Sequence, residues 1–227
     1  EKVVVDQSQI QTIPENISMA SASLLACGVI TGIGAVTNTA KVKAGSTVVV
    51  IGAGGVGLNA IQGAAIAGAS KIIAIDVSEE KLNVAKEFGA TAGILTSDEK
   101  PYRIVKKMTG SRGVDYVFVT VGSIPAYESA SRFLSVGGSV VMVGMPPSGA
   151  KVAIEPVILA MTSQSLLGSY MGSSVLKKDI PVLIDLYRQG RLKLDELVTR
   201  KYPLNKINEA VNDVKLGNTR RNVIVFD

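Results

Sequence analysis

Histidine is missing altogether from this chain, tryptophan is too, and cysteine occurs once, as Cys27. Without imidazole the chain lacks the commonest general acid–base group and the commonest nitrogen ligand for zinc, so chemistry built on either must draw it from elsewhere. One cysteine cannot form an internal disulfide, and no stretch reads as a secretory signal, which together lead us to expect a reducing cytoplasm. Aromatic residues make up only 4%. The net charge of +5 comes from scattered cations such as Lys177-Lys178 and Arg220-Arg221, a solvated surface rather than a nucleic-acid footprint. Residues 16–40 and 44–70 carry no charged side chain, yet Gly, Ser, Thr and Asn interrupt both, so neither is expected to span a membrane.

What is present is organised around Thr47-Val48-Val49-Val50-Ile51, an uncharged run that fits a strand buried on both faces. The turn Gly52-Ala53-Gly54-Gly55-Val56-Gly57 follows at once and fills the pattern G-x-G-x-x-G. In such a turn the first glycine permits the bend, the second lets backbone approach a pyrophosphate, and the third lets the next helix pack on the strand. A helix is expected from Gly55 to about Ala67, its N-terminal N–H groups facing the phosphates.

A glycine turn alone is a weak signal. It gains weight from Lys71-Ile72-Ile73-Ala74-Ile75, a second apolar strand ending in Asp76, nineteen residues beyond Gly57. A carboxylate there accepts hydrogen bonds from the adenosine ribose hydroxyls and repels a 2′-phosphate, so it favours NAD over NADP. The competing role for Asp76 is to cap the helix starting near Glu79, although Ser78 can do that unaided.

Strand and helix signals then alternate: helix 79–88, a short strand at 93–95, helix 100–108, strand 116–119, helix 125–134, strand 139–143 and a last strand at 165–168. This order predicts an α/β fold, a Rossmann doubly wound parallel sheet. Before it lie a short strand at Lys2-Val3-Val4-Val5, a small-residue helix over 18–26 and a helical segment containing Thr31–Val36. After Tyr170 come helices 178–189 and 205–215, a short Tyr202-Pro203 extension and a closing strand at 222–226. We therefore expect a nucleotide-binding domain over 29–170, flanked by 1–28 and 171–227, where the alternation does not hold.

Several blocks together resemble the medium-chain zinc-dependent alcohol dehydrogenases, in particular the branch holding liver-type alcohol, glutathione-dependent formaldehyde and aryl-alcohol dehydrogenases. They are Leu25–Gly32, the Gly52–Gly57 turn, Asp76 with Lys81, Val143-Gly144-Met145-Pro146-Pro147, Ile207-Asn208-Glu209-Ala210 and Arg221–Ile224. The resemblance implies that Cys27 is one ligand of a catalytic zinc whose other protein ligands, a cysteine and a histidine, come from a domain preceding residue 1. It also implies that Thr31 lies by the nicotinamide and Lys81 by the adenosine ribose. Thr120, Val143, Gly144 and Met145 would line the nicotinamide half of the cleft, and Arg221 would reach the pyrophosphate. By themselves Cys27 reads as an inert core residue and Lys81 and Arg221 as surface cations.

The resemblance further implies that 1–28 and 171–227 are parts of a separate catalytic domain, and the activity implied is hydride transfer between NAD and a small alcohol or aldehyde, with zinc as Lewis acid. This chain alone is expected to bind NAD(H) without turnover. A homodimer joined through the segment near Leu159–Gly172 is also implied, and an uncovered strand edge invites such pairing on physical grounds. Three rivals stand beside this reading. Tyr102-x-x-x-Lys106 has the spacing of a short-chain dehydrogenase pair but follows the glycine turn by only forty-five residues, in an expected surface helix. A zinc-free NAD(P)H quinone reductase would share the fold, and a non-catalytic NAD-sensing module would share the cleft.

Overall fold

The computed structural model describes residues 2–97, 100–217 and 219–226. It divides into two compact units, one made of Glu1–Ile30 with Ser174–Asp227, the other of Thr31–Ser173.

The second unit is built on six parallel strands: β1 (Thr47–Ile51), β2 (Lys71–Asp76), β3 (Ala92–Leu95), β4 (Val114–Val119), β5 (Leu134–Met142) and β6 (Ser165–Gly168). Their spatial order is β3-β2-β1-β4-β5-β6, and every pairing is parallel. This is the doubly wound Rossmann arrangement expected from the alternation. The chain works outward from β1 to β3, then restarts at β4 on the other side of β1. That reversal leaves a crevice beyond the carboxyl ends of β1 and β4, the usual ligand position in open α/β sheets.

β1 is buried throughout, in keeping with its lack of charge. One face of the sheet carries Val49, Ile51, Ile73, Ile75, Val117 and Val119, packed with Val105 of α5 (Pro101–Met108) and Ala130 of α6 (Ile124–Ala130). Side chains alternate along a strand, so Val48, Val50 and Phe118 serve the opposite face. All three are fully buried. Helix α3 (Gly55–Ile66) packs on β1 and β2, and α4 (Glu79–Glu87) on β2 and β3.

At the amino end of the sheet, Asp115 ties two strands together. Its carboxylate accepts from the backbone N–H of Thr47 at 2.8 Å and from the Arg112 guanidinium at 2.5 Å. Burial pushes the Asp115 carboxyl up, but the hydrogen bonds from Arg112 and Thr47 and the guanidinium charge outweigh it and hold the group below the ordinary aspartate value. A depressed folded pKa adds stability above the unfolded value of about 3.9 and forfeits it as the pH falls through that range. Asp115→Asn is therefore expected to lower the urea midpoint at pH 7, with the difference from the parent chain shrinking steadily between pH 5 and pH 3.

In the first unit, α1 (Met19–Leu24) is capped by Ser18, which accepts from the Ser21 N–H at 3.1 Å. The helical path beyond it is interrupted at Ala26 and Cys27, whose backbone angles are non-helical; α2 (Ile30–Gly34) follows, all of it but Ile30 counted in the second unit. By length and composition alone the run Met19–Thr39 could cross a membrane, but 72% of its most apolar window is buried inside the protein. Farther on lie α8 (Leu176–Arg188), β7 (Val198–Pro203), α9 (Ile207–Leu216) and β8 (Arg221–Val225), with β7 and β8 forming a two-stranded parallel sheet.

Four expectations need correcting. Lys2–Val5 is not a strand: Val3 and Val4 are exposed and nothing pairs with them in either sheet. The helix expected over 125–134 stops at Ala130, and after a turn of 3-10 helix β5 begins at Leu134, whose partner is Val114. A helix not anticipated, α7 (Pro156–Thr162), precedes β6. The Tyr202-Pro203 extension is the end of a six-residue strand.

The two ends of the second unit are laced together. Thr39 Oγ1 lies 2.8 Å from both Ser169 Oγ and Ser173 Oγ, and Asn38 donates to the Gly172 carbonyl at 3.4 Å.

Candidate functional site

β1 delivers the chain into the glycine turn at the switch point. Gly52 has φ of +98°, a conformation that glycine adopts freely, and its N–H donates to the Ile75 carbonyl at 2.7 Å. A Cβ on Gly57 would lie 1.8 Å from the Gly52 carbonyl oxygen, so the turn closes backbone against backbone. Gly54 is the reverse case, with open space where its Cβ would be.

No side chain caps α3, and its first turn holds no acidic residue. Its leading N–H groups and the helix dipole are left for an anion. The N-terminus of α4 contrasts with this: Ser78 accepts from the Lys81 N–H at 3.4 Å, and Glu79 and Glu80 occupy the first turn. Of two adjacent helix starts, one is open to phosphate and the other is already satisfied.

Asp76 is therefore not the cap of α4. Its Oδ2 accepts from the Ala53 N–H at 2.7 Å and its Oδ1 from the Ser78 N–H at 3.1 Å, with the residue buried. The carboxylate thus fastens the end of β2 to the glycine turn. Thr120, just beyond β4, does the same from the other side, its hydroxyl shared between the Ile51 and Gly52 carbonyls at 3.0 and 2.9 Å.

Beside Asp76 a cleft of about 590 Å³ opens, lined by Gly52, Asp76, Lys81, Tyr102, Val121 and Phe133 among others. That volume suits a small ligand or half a dinucleotide. Tyr102 packs edge-on against Phe133, with ring centroids 6.4 Å apart, and the Arg132 guanidinium lies 5.8 Å over its ring. Tyr102 is thus part of an aromatic wall packed on the core, not the surface position expected of it, while Lys106 sits in the last turn of α5. Sequence reasoning did not assign this wall to the cleft; the scarcity of aromatics was the one available signal.

On the other side of the switch point, Val143 is buried, Met145 is 75% exposed, and the N–H groups of Val143 and Gly144 both donate to the Val119 carbonyl, at 3.0 and 2.9 Å. Thr31 is buried, its hydroxyl 3.8 Å from the Met171 sulfur. These residues belong to the same unit as the glycine turn.

Cys27 and Arg221 belong to the other unit. Cys27 is exposed rather than an inert core residue. The Arg221 guanidinium lies directly over Gly28, where a Cβ would come within 2.1 Å of its Nη2. Among the described residues no group of three or more Cys, His, Asp or Glu side chains could hold a metal ion. One thiolate falls short of the three protein ligands a catalytic zinc requires, so these residues do not constitute a zinc site. The glycine turn, the uncapped α3 and Asp76 do fit a dinucleotide.

The sequence profile described as zinc-binding dehydrogenase matches residues 55–189, more than half of the chain. The chain belongs to this family. Over 224 residues it is 40% identical to the probable S-(hydroxymethyl)glutathione dehydrogenase 1 of Schizosaccharomyces pombe, covering 98% of this chain and 58% of that protein. Among solved structures, benzyl alcohol dehydrogenase from Acinetobacter calcoaceticus superimposes with a TM-score of 0.91 at 34% identity, over 95% of this chain and 59% of that one. Alcohol dehydrogenase TADH from Thermus sp. ATN1 gives 0.87 at 27% identity, over 96% and 61%. This zinc-binding dehydrogenase chain thus spans under two thirds of the length of these relatives.

Proposed function

We propose that the chain is the NAD(H)-binding portion of an oxidoreductase that moves hydride between NAD and a small alcohol or aldehyde. The observation that carries this reading is the bond from the Ala53 N–H to the buried Asp76 carboxylate, which sets an acid beside the glycine turn and the uncapped start of α3. In this reading the pyrophosphate rests on Gly54, Gly55, Val56 and the first N–H groups of α3. Asp76 receives the adenosine ribose hydroxyls with Lys81 beside it, and Tyr102 and Phe133 floor the adenosine side.

Thr31, Thr120, Val143, Gly144 and Met145 form the nicotinamide side, and Arg221 supplies a cation for the pyrophosphate. When bound, the coenzyme supplies the hydride acceptor. The chain's own part is to orient it, neutralise its phosphates and exclude water from one side. Cys27 is assigned as one metal ligand, and because the described residues form no complete site, no step is drawn through a metal.

Segments 1–28 and 171–227 are assigned to substrate handling and 29–170 to the coenzyme. The names of the relatives support an alcohol or aldehyde as substrate, and a cytoplasmic setting is part of the same proposal. β6 lies at the sheet edge with Val157 and Met161 of α7 exposed, which supports pairing of two copies through Leu159–Gly172.

The test is a titration with NADH and, separately, NADPH, following nicotinamide fluorescence, since no tryptophan interferes. We expect saturable NADH binding at least about tenfold tighter than NADPH, because the 2′-phosphate would meet Asp76, and no alcohol-dependent NADH production. Equal binding of both, or of neither, would refute the assignment of Asp76.

A further inference from the structure

The loop after β5 is held from two directions. From inside the sheet, the Val119 carbonyl accepts from the N–H groups of both Val143 and Gly144. From outside, the Tyr127 hydroxyl, one turn into α6, donates to the Gly144 carbonyl. Gly144 has little freedom between these ties, since a Cβ there would stand 2.4 Å from the Val121 backbone. Beyond it the chain runs without regular structure through Met145 to Ala150.

Tyr127 packs against the core cluster on the α5 and α6 face, so its ring is anchored before its hydroxyl reaches the loop. We propose that Tyr127 is a positioning residue, a latch that sets the Val143–Met145 wall against the nicotinamide ring through the Gly144 carbonyl. The inference rests on the coenzyme reading above and adds to it a side chain outside the motifs that carry that reading. Burial pushes the Tyr127 phenol above its ordinary value, so it remains a proton donor through neutral and mildly alkaline pH.

A hydroxyl that merely fills a hydrogen-bonding need would support the whole fold evenly. A latch acts on one half of the coenzyme. The experiment compares the full chain with its Tyr127→Phe variant using two probes: NADH, followed by nicotinamide fluorescence, and ADP-ribose, which lacks the nicotinamide, followed by calorimetry. Loss of one hydrogen bond is expected to weaken NADH binding about threefold to tenfold, with ADP-ribose affinity unchanged within about twofold. Equal weakening of both probes, including complete loss through misfolding, would overturn the latch, as would NADH affinity identical to the parent's. If the unaltered chain binds neither probe, the coenzyme reading itself is overturned and the latch falls with it.

Discussion

Replacing Gly57 by alanine will lower NADH affinity by about 100-fold or more and destabilise the fold by about 1–3 kcal/mol. The added methyl would sit 1.8 Å from the Gly52 oxygen and 2.9 Å from the Gly52 carbon, and both neighbours are backbone that cannot swing aside. Thr120 Oγ1, also 2.9 Å away, is held by the carbonyls of Ile51 and Gly52, so it cannot yield cheaply either. The turn itself must move, carrying with it the N–H groups to which the proposed function assigns the pyrophosphate. Charge-assisted bonds of that kind are worth about 1.5–3 kcal/mol each, so misplacing one or two accounts for the expected loss.

Gly54→Ala is the matched control. Its backbone lies in the extended region and nothing stands within 4 Å of the new methyl, so thermal stability should hold. Only the approach of the coenzyme would be obstructed. If Gly54→Ala binds NADH as well as the parent does, the pyrophosphate does not lie on this turn.

The second large effect is purely structural. Phe118→Ala should cost about 3–5 kcal/mol, read as a fall in the urea midpoint without a large change in slope. Phe118 is completely buried near the carboxyl end of β4, paired in register with Val50 and Val141. The strands on both sides of it are fixed by their ladders, so the surrounding layer cannot collapse into the vacated space. A loss below about 1 kcal/mol would mean that this face of the sheet repacks readily.

The strands at the centre of the sheet were legible because burial on both faces leaves an unmistakable trace: β1 and β2 carry no charge between Thr47 and Ile51 or between Ile72 and Ile75. The neighbourhood of Asp76 and the glycine turn was legible for a covalent reason, since strand, turn, helix and strand of standard length return the chain to one place. Helix α7 was not, because Pro156-Val157-Ile158-Leu159-Ala160-Met161-Thr162 is apolar nearly all round yet buries none of its residues fully. No periodicity distinguishes such a segment from strand. The start of β5 was hidden because Gly137 and Gly138 interrupt the apolar run ahead of Ser139, yet both lie within the strand. Tyr127 was invisible for a different reason: its partner is a backbone carbonyl, and a carbonyl leaves no residue-type signature.

The lacing of Thr39 to Ser169 and Ser173 has a meaning for ancestry and engineering. The chain leads into and out of the sheet at one place, because the segments around Thr39 and around Ser169–Ser173 are joined by hydroxyl contacts. For a host polypeptide, accepting residues 31–173 amounts to lengthening one loop whose ends already meet, and loop closure grows only slowly with length. A segment whose ends already meet in this way can be moved into another loop with one junction at each end, and its sheet has no need of the new host to close it.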